Sequence, residues 1–382
     1  MGLESSQLPL SYPDPIRLDH IQSQSVVAPP PILPAIKARS SGSSISISPG
    51  WIPQVPCSSC VKLSGMASKS SFLNTLPTNS PAQFLNGITD GFSDAQKLGE
   101  GAFGTVYKGI LQDGEPIAVK KLADNAPVAP EKQFKIGVGN LMAMQHPNIV
   151  RLLGSCREPQ KKVIEHSGRY IMVDVVESLL YYEYIPNGNL DKYISDTSLR
   201  PDWKTCFEII KGICQGLLYL HKKMDRPIVH LDLHPTNILL DENMVPKITD
   251  FGLSRLFGEE QTRINTINVV GKKGYMAPEY LYRGEISTRS DIYSLGVVIM
   301  EFTTGEKSCS SDKDMSARDF VDKVCETWTD EHIASKHSAL DAGSLQEVRT
   351  CIKIGLKCVD IDQNKRPSIV EIVDELNGRR AH

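Results

Sequence analysis

Two aspartates, an asparagine, a lysine and a glycine-rich turn are the residues of this 382-residue chain whose types and spacing could do chemistry together. The run Leu98-Gly99-Glu100-Gly101-Ala102-Phe103-Gly104-Thr105-Val106 carries Gly-x-Gly-x-x-Gly. Such a pattern lets the backbone turn tightly and bring its N–H groups against phosphates without Cβ obstruction. Lys120 closes the apolar run Ile117-Ala118-Val119-Lys120; an ammonium on such a strand is costly to bury without an anion, and phosphate is the natural one. Asp232 and Asn237 follow in Val229-His230-Leu231-Asp232-Leu233-His234-Pro235-Thr236-Asn237, and Asp250 in Ile248-Thr249-Asp250-Phe251-Gly252. Each acid taken alone reads as a turn cap. Together they supply what phosphoryl transfer needs: a carboxylate to accept a hydroxyl proton, and oxygen ligands for Mg²⁺ on the phosphates.

The elements that must position these groups fall into two kinds. Leu98 to Leu111 reads as strand, glycine turn, strand, and Pro116 to Leu122 as a third strand with Ile117 and Val119 alternating. A dinucleotide-binding fold would put a helix straight after the last glycine and an acid about twenty positions on. Here Thr105-Val106-Tyr107 continues as strand, and that position brings Lys120. After Trp203 the period changes: Phe207, Ile210, Ile213, Cys214, Leu217 and Leu220 recur at helical spacing, with further helices expected at 288–304, 317–328, 344–358 and 367–377. Strands first and helices later predict an α+β fold of two lobes, a β-rich one over 92–184 hinged to a helical one over 186–377.

The glycine loop, Ile-Ala-Val-Lys, His-Leu-Asp-Leu-x-x-x-Asn, Asp-Phe-Gly and Ala277-Pro278-Glu279 stand in the order and spacing of eukaryotic protein kinases, which this chain resembles over 92–377. Three stretches, Asn148–Gly154, Tyr182–Gly188 and Gly274–Tyr280, look specifically like plant receptor-like kinases. The soluble receptor-like cytoplasmic kinases of the serine/threonine class are the nearest description. The resemblance implies that Asp232 is the catalytic base, that Asn237 and Asp250 hold Mg²⁺ (or Mn²⁺), and that Lys120 grips the ATP phosphates. It implies that Gly99, Gly101 and Gly104 cover the nucleotide and that Leu98, Val106, Ala118 and Leu239 enclose the adenine. Glu183 and Ile185 would offer hinge hydrogen bonds, with Tyr182 as gatekeeper. Arg366 would pair with Glu279, and Asp291 would brace the catalytic loop.

Three departures bear on catalysis. The family holds its lysine with a helix glutamate, and that position is Gly137 in Phe134-Lys135-Ile136-Gly137-Val138. Gln133, one turn away, is neutral, and Glu131 falls on another face. Gly137 and Gly139 also weaken the helix by about 1 kcal/mol each relative to alanine. His234, counted here with the catalytic residues, stands where such kinases carry a phosphoryl-contacting lysine, and histidine is the poorer clamp. Lys272 replaces a Ser or Thr that hydrogen-bonds the catalytic Asp. A fourth, Leu231 for arginine, removes the cation that would read a phosphorylated activation loop, so control through Thr262 or Thr266 is not expected to be essential.

Composition limits the rest. A net charge of -3 and 40% apolar content allow a large core and give no basic field for nucleic acid. The nine cysteines read as reduced intracellular thiols, and no stretch is long and apolar enough to span a bilayer. Residues 1–80 are rich in Ser, Pro and Gln and read as disordered. Gly2 with Ser6 fits an N-myristoylation pattern, with Cys57 and Cys60 as second acyl sites, against a plain disordered tail. Cys57-x-x-Cys60 lacks a second pair or His for zinc. The acid-poor stretch after residue 20 suggests a transit peptide, which Glu4, Asp14 and Asp19 argue against. The expected function is ATP-dependent phosphorylation of protein Ser/Thr hydroxyls in receptor-like kinase signalling. A membrane receptor kinase is the expected partner, in the cytoplasm or at the plasma membrane periphery. The alternatives are a nucleotide-binding pseudokinase acting as a scaffold, favoured by Gly137, and a small-molecule kinase, disfavoured by the Ala277-Pro278-Glu279 platform.

Overall fold

A computed structural model describes residues 78–142, 144–258, 261–308 and 317–379. The expectations for Gly2, Cys57, Cys60 and the leader up to residue 77 lie outside the described residues.

The strand-rich half begins with α1 (Ala82–Ile88) and contains β1 (Lys97–Gly101), β2 (Gly104–Ile110), β3 (Pro116–Leu122), α2 (Pro130–Leu141), β4 (Leu152–His166) and β5 (Arg169–Glu183). The five strands form one antiparallel sheet in the order β1-β2-β3-β5-β4. Period-two alternation sends Ile117 and Val119 to the face covered by Ala82 and Leu85 of α1. Ala118 and Lys120 therefore point to the opposite face. Residues before 92 also pack on this half: Asn79 bridges Ser155, the Ser80 and Tyr181 hydroxyls lie 3.0 Å apart, and Ala82 N–H donates to Glu158.

The helical half runs through α3 (Leu190–Ser195), α4 (Trp203–Leu218), the short strands β6 (Ile228–Val229), β7 (Ile238–Leu240) and β8 (Pro246–Ile248), then α5 (Pro278–Arg283) and α6 (Thr288–Thr304). It closes with α7 (Ala317–Thr327), α8 (Asp330–Lys336), α9 (Ala342–Cys358) and α10 (Ile369–Leu376). Helix α6 is its spine. Ser287 caps it reciprocally with Ser290, Gly305 ends it in the left-handed region, and Leu295 through Phe302 are buried on every side. Among the described residues no helix is long and apolar enough to cross a membrane.

Two buried ionic contacts fix the helical half. Arg366 binds Glu279 through two 2.7 Å hydrogen bonds and also donates to the carbonyls of Asp360 and Arg289. Asp291, fully buried, accepts the backbone N–H groups of His230 and Leu231 at 2.8 Å each and contacts His221 at 2.8 Å. Both contacts were expected from the resemblance. Leu231 is held at φ 68, a left-handed conformation that costs a side-chain-bearing residue about 1–2 kcal/mol, and the Asp291 carboxylate offsets that strain. Asp291→Ala would orphan two buried N–H donors and an imidazole, at about 1–3 kcal/mol each. We expect its melting temperature to fall by roughly 10 °C or more in a thermal scan, at the 2–4 °C per kcal/mol of a domain this size.

Candidate active site

The glycine loop is the β1–β2 turn. Gly104 sits at φ 141, and a Cβ there would lie 2.1 Å from the Lys121 carbonyl on β3, so the loop returns to the sheet only through glycine. At Gly99 and Gly101 a Cβ would meet nothing within 4 Å. There the absence of a side chain keeps open the space over the strands, where phosphates need close backbone approach.

Lys120 lies on β3 opposite Val106 and Leu180, buried to 8% exposure. Its ammonium is 2.7 Å from Asp250 Oδ2. Asp250 adopts φ 63, a left-handed turn that asparagine and aspartate tolerate best, and its other oxygen accepts the Gly252 N–H at 3.4 Å. Burial pushes the Asp250 carboxyl up, but Lys120 and then His230 outweigh it and hold it below the usual carboxylate range. The same burial, with the Asp250 charge, raises the Tyr182 phenol. The ring of Phe103, at the tip of the glycine loop, stands 5.9 Å from the Lys120 ammonium and 4.0 Å from where a Cβ on Gly252 would lie. The loop tip thus covers the lysine–aspartate pair.

Asp232 and Asn237 close the same cleft from below. The Asn237 amide nitrogen donates to Asp232 O at 2.9 Å and Oδ2 at 3.2 Å, and sits 3.1 Å from His234 Nε2. His234 Nδ1 is 2.6 Å from Thr236 Oγ1, so the bonds agree with Nδ1–H donating there and Nε2 accepting from Asn237. His230 Nδ1 accepts the Asp232 N–H at 3.2 Å, its Nε2–H donates to Thr249 O at 2.9 Å, and its ring meets Phe251 edge-on. That imidazole ties the segment bearing Asp232 to the segment bearing Asp250.

The adenine-facing expectations fall along the hinge. Ala118 pairs with Tyr182 and Ile117 with Glu183. Asn187 N–H donates to Leu240 O and Leu240 N–H to Gly188 O, which ties the hinge to β7 and its Leu239. Ile185 is buried, Val106 and Leu239 are half-buried, and Leu98 at the β1 bulge is 45% exposed. The Glu183 N–H donates to Arg151 O, and its carboxylate accepts the Arg151 N–H and pairs with Lys247 at 2.9 Å, so its backbone carbonyl is the group it can offer a base.

At the three departures the structure refines the sequence reading. Gly137 faces Leu180, the residue paired with Lys120 across the sheet, and a Cβ there would come 3.0 Å from Leu180 Cδ1. Glu131 pairs with Lys135 and Arg157, as its different face requires. Gln133 is only 1% exposed, which sequence did not reveal. Its amide nitrogen donates to Val128 O at 2.6 Å, while Oε1 is buried without a hydrogen-bond partner, 3.4 Å from where a Cβ on Gly252 would stand. Lys272 keeps a bond to Asp232 that side-chain reading overlooks: its backbone N–H donates to Oδ1 at 3.3 Å. Only the Ser/Thr side-chain contact is missing there.

His234 lies 3.5 Å from Asp232 Oδ1 through Nε2. A lysine at that position would place a permanent ammonium beside the carboxylate and over the cleft. We expect His234→Lys to raise kcat by about tenfold, a fraction of the 10²–10³ a preorganised donor can supply. Steady-state kinetics read this directly; an unchanged kcat with an unchanged melting temperature would show that His234 is no handicap.

Among the described residues no group of three or more His, Cys, Asp or Glu could hold a metal. Asp250 and the Asn237 carbonyl fit a hard divalent ion only where phosphate oxygens and water complete its shell, as Mg²⁺ prefers.

A lysine, two acids and an amide gathered under a glycine loop form an arrangement that phosphoryl transfer can use. The family model described as protein kinase domain matches residues 92–376, and the chain belongs to that family. Its relatives are plant receptor-like kinases of Arabidopsis thaliana. Cysteine-rich receptor-like protein kinase 25 is 39% identical over 298 residues, covering 77% of this chain and 42% of the relative. A G-type lectin S-receptor-like serine/threonine-protein kinase is 40% identical over 295 residues, covering 76% of this chain and 33% of the relative. The chain thus spans less than half the length of either.

Proposed function

We propose that this chain transfers the γ-phosphoryl group of ATP to serine or threonine hydroxyls of protein substrates, in signalling coupled to a membrane receptor kinase. The observation that carries the reading is the convergence of Lys120, Asp232, Asn237 and Asp250, from three separate segments, on one cleft. Asp232 accepts the hydroxyl proton as the substrate oxygen bonds phosphorus and the bond to the β-phosphate oxygen breaks. The Lys272 N–H and the Asn237 amide orient that carboxylate, while His230 accepts the Asp232 backbone N–H and holds its segment in place. Asn237 and Asp250 hold the Mg²⁺, for which Mn²⁺ is the alternative ion; bound there, it neutralises charge developing on the transferred group. Lys120 holds the α- and β-phosphates, Gly99, Gly101 and Gly104 admit them, and Leu98, Val106, Ala118 and Leu239 enclose the adenine. The Glu183 carbonyl and the Ile185 backbone hydrogen-bond the base.

Turnover is low in this reading, because Gly137 leaves Lys120 paired with the metal-binding aspartate and His234 replaces an ammonium. The test is Mg²⁺-dependent transfer from labelled ATP by the full chain, to itself and to a generic basic protein. Transfer above an Asp232→Asn blank is the expected result. Metal-dependent nucleotide binding with no transfer above that blank would sink the enzymatic reading.

A further inference from the structure

We propose that the β4–β5 hairpin is a self-association surface, through which two copies of this chain join by antiparallel pairing of β5 with β5. Beyond Leu179, where pairing with β3 ends, the hairpin continues alone as a two-stranded ribbon to His166 and Arg169. Its apolar side chains are in water: Tyr170 is 77% exposed, Met172 66% and Val163 61%. An isolated two-stranded ribbon is marginal in water, and an open edge invites another strand.

The register decides which edge. The turn Ser167-Gly168 has φ 53 and 73, a two-residue type I′ hairpin, so His166 and Arg169 form a hydrogen-bonded pair. Odd-numbered β5 residues then aim their backbone groups at β4, while Tyr170, Met172, Asp174 and Val176 aim theirs outward. On β4 the outward residues include Pro159 and Lys161, a missing donor and a charge, the features by which edges are blocked. The β5 edge has no proline, and its one outward charge, Asp174, lies across from Lys161.

The edge is also self-complementary, as a two-fold interface requires. Centred on Val173, antiparallel pairing places Met172 opposite Asp174 and Tyr170 opposite Val176 of the second copy. Outward residues meet only outward residues, so the hydrogen-bonding parity is satisfied. Aromatic against β-branched is a favourable cross-strand pair.

Sedimentation of the full chain over a wide concentration range is expected to show a monomer–dimer equilibrium. Two substitutions at one exposed position separate this register from general stickiness. Met172→Asp sets an aspartate against Asp174 of the partner at both symmetry-related positions and should weaken the dimer about tenfold or more, whereas Met172→Lys should preserve or tighten it. Val173→Cys, which meets itself on the two-fold in a close non-hydrogen-bonded pair, should cross-link on mild oxidation above the native background; Ile171→Cys, which meets Val175, should not. A chain monomeric throughout, equal weakening by both Met172 substitutions, or equal cross-linking by both cysteines would overturn the proposal.

Discussion

Asp250→Asn is expected to lower phosphoryl transfer by at least about 10³-fold, the scale of losing a principal electrostatic group of a reaction centre. The substitution keeps the shape of the left-handed turn at φ 63, which asparagine also adopts, and a carbonyl for the Gly252 N–H. It removes the anion proposed to hold the divalent ion, which also faces Lys120 at 2.7 Å. Nucleotide binding should then lose its metal dependence: titration with a fluorescent ATP analogue should give similar affinities with Mg²⁺ and with chelator, while the native chain responds to the ion. A stability signature accompanies the loss. The native carboxyl lies below the usual carboxylate range despite its burial. A depressed acid contributes stability that is present above the unfolded-state pKa of about 4 and is lost as pH falls through the folded one. The native chain should therefore be more stable than the variant at neutral pH, and the gap should close on acidification below about pH 4. Retained transfer, or retained metal dependence, would remove Asp250 from the role proposed for it.

Why Asp250 could be picked from the sequence, and other features could not, has a physical basis. Lys120, Asp232, Asn237 and Asp250 sit in short motifs whose order points to a shared site, and the structure brings them together. Helix α6 was readable because its apolar run ends at Gly305 in a left-handed cap. The β4–β5 ribbon was not: Lys161-Lys162-Val163-Ile164-Glu165-His166 follows no clean period of two, since much of the ribbon buries neither face. Helix α8 escaped because seven residues with one buried apolar side chain, Ile333, leave no periodic signal. Motif reading also counts side chains and not N–H groups, so the bond from the Lys272 backbone to Asp232 was invisible. Gln133 is the sharpest case. A neutral amide within a helix reads as a solvent-facing residue, yet tertiary packing buries it against the turn that carries Asp250.

Gly137→Glu is expected to raise kcat by about 10- to 100-fold, recovering part of what a preorganised charge is worth. Gly137 lies on α2 where that helix meets β5. Its missing side chain faces Leu180, and Leu180 pairs across the sheet with Lys120, so a carboxylate grown from this position extends toward the lysine. Lys120 is now bound to Asp250, the residue proposed to hold the ion. A second anion would share the ammonium and leave Asp250 to the metal, while Lys120 stays poised for the phosphates. Helix propensity favours the change, since glutamate is better than glycine inside a helix by roughly half a kcal/mol. Packing opposes it: the new Cβ meets Leu180 Cδ1 at 3.0 Å, so a flexible methyl must give by a few tenths of an ångström. The balance predicts a melting temperature near that of the native chain together with faster turnover. Gly137→Gln separates charge from bulk, because it crowds Leu180 equally but brings no anion. If glutamine accelerates transfer as much as glutamate does, the handicap at this position is a loose helix; if only glutamate does, it is the missing charge beside Lys120. A folded Gly137→Glu chain no faster than the native one would show that Lys120 is already held well enough without a helix carboxylate.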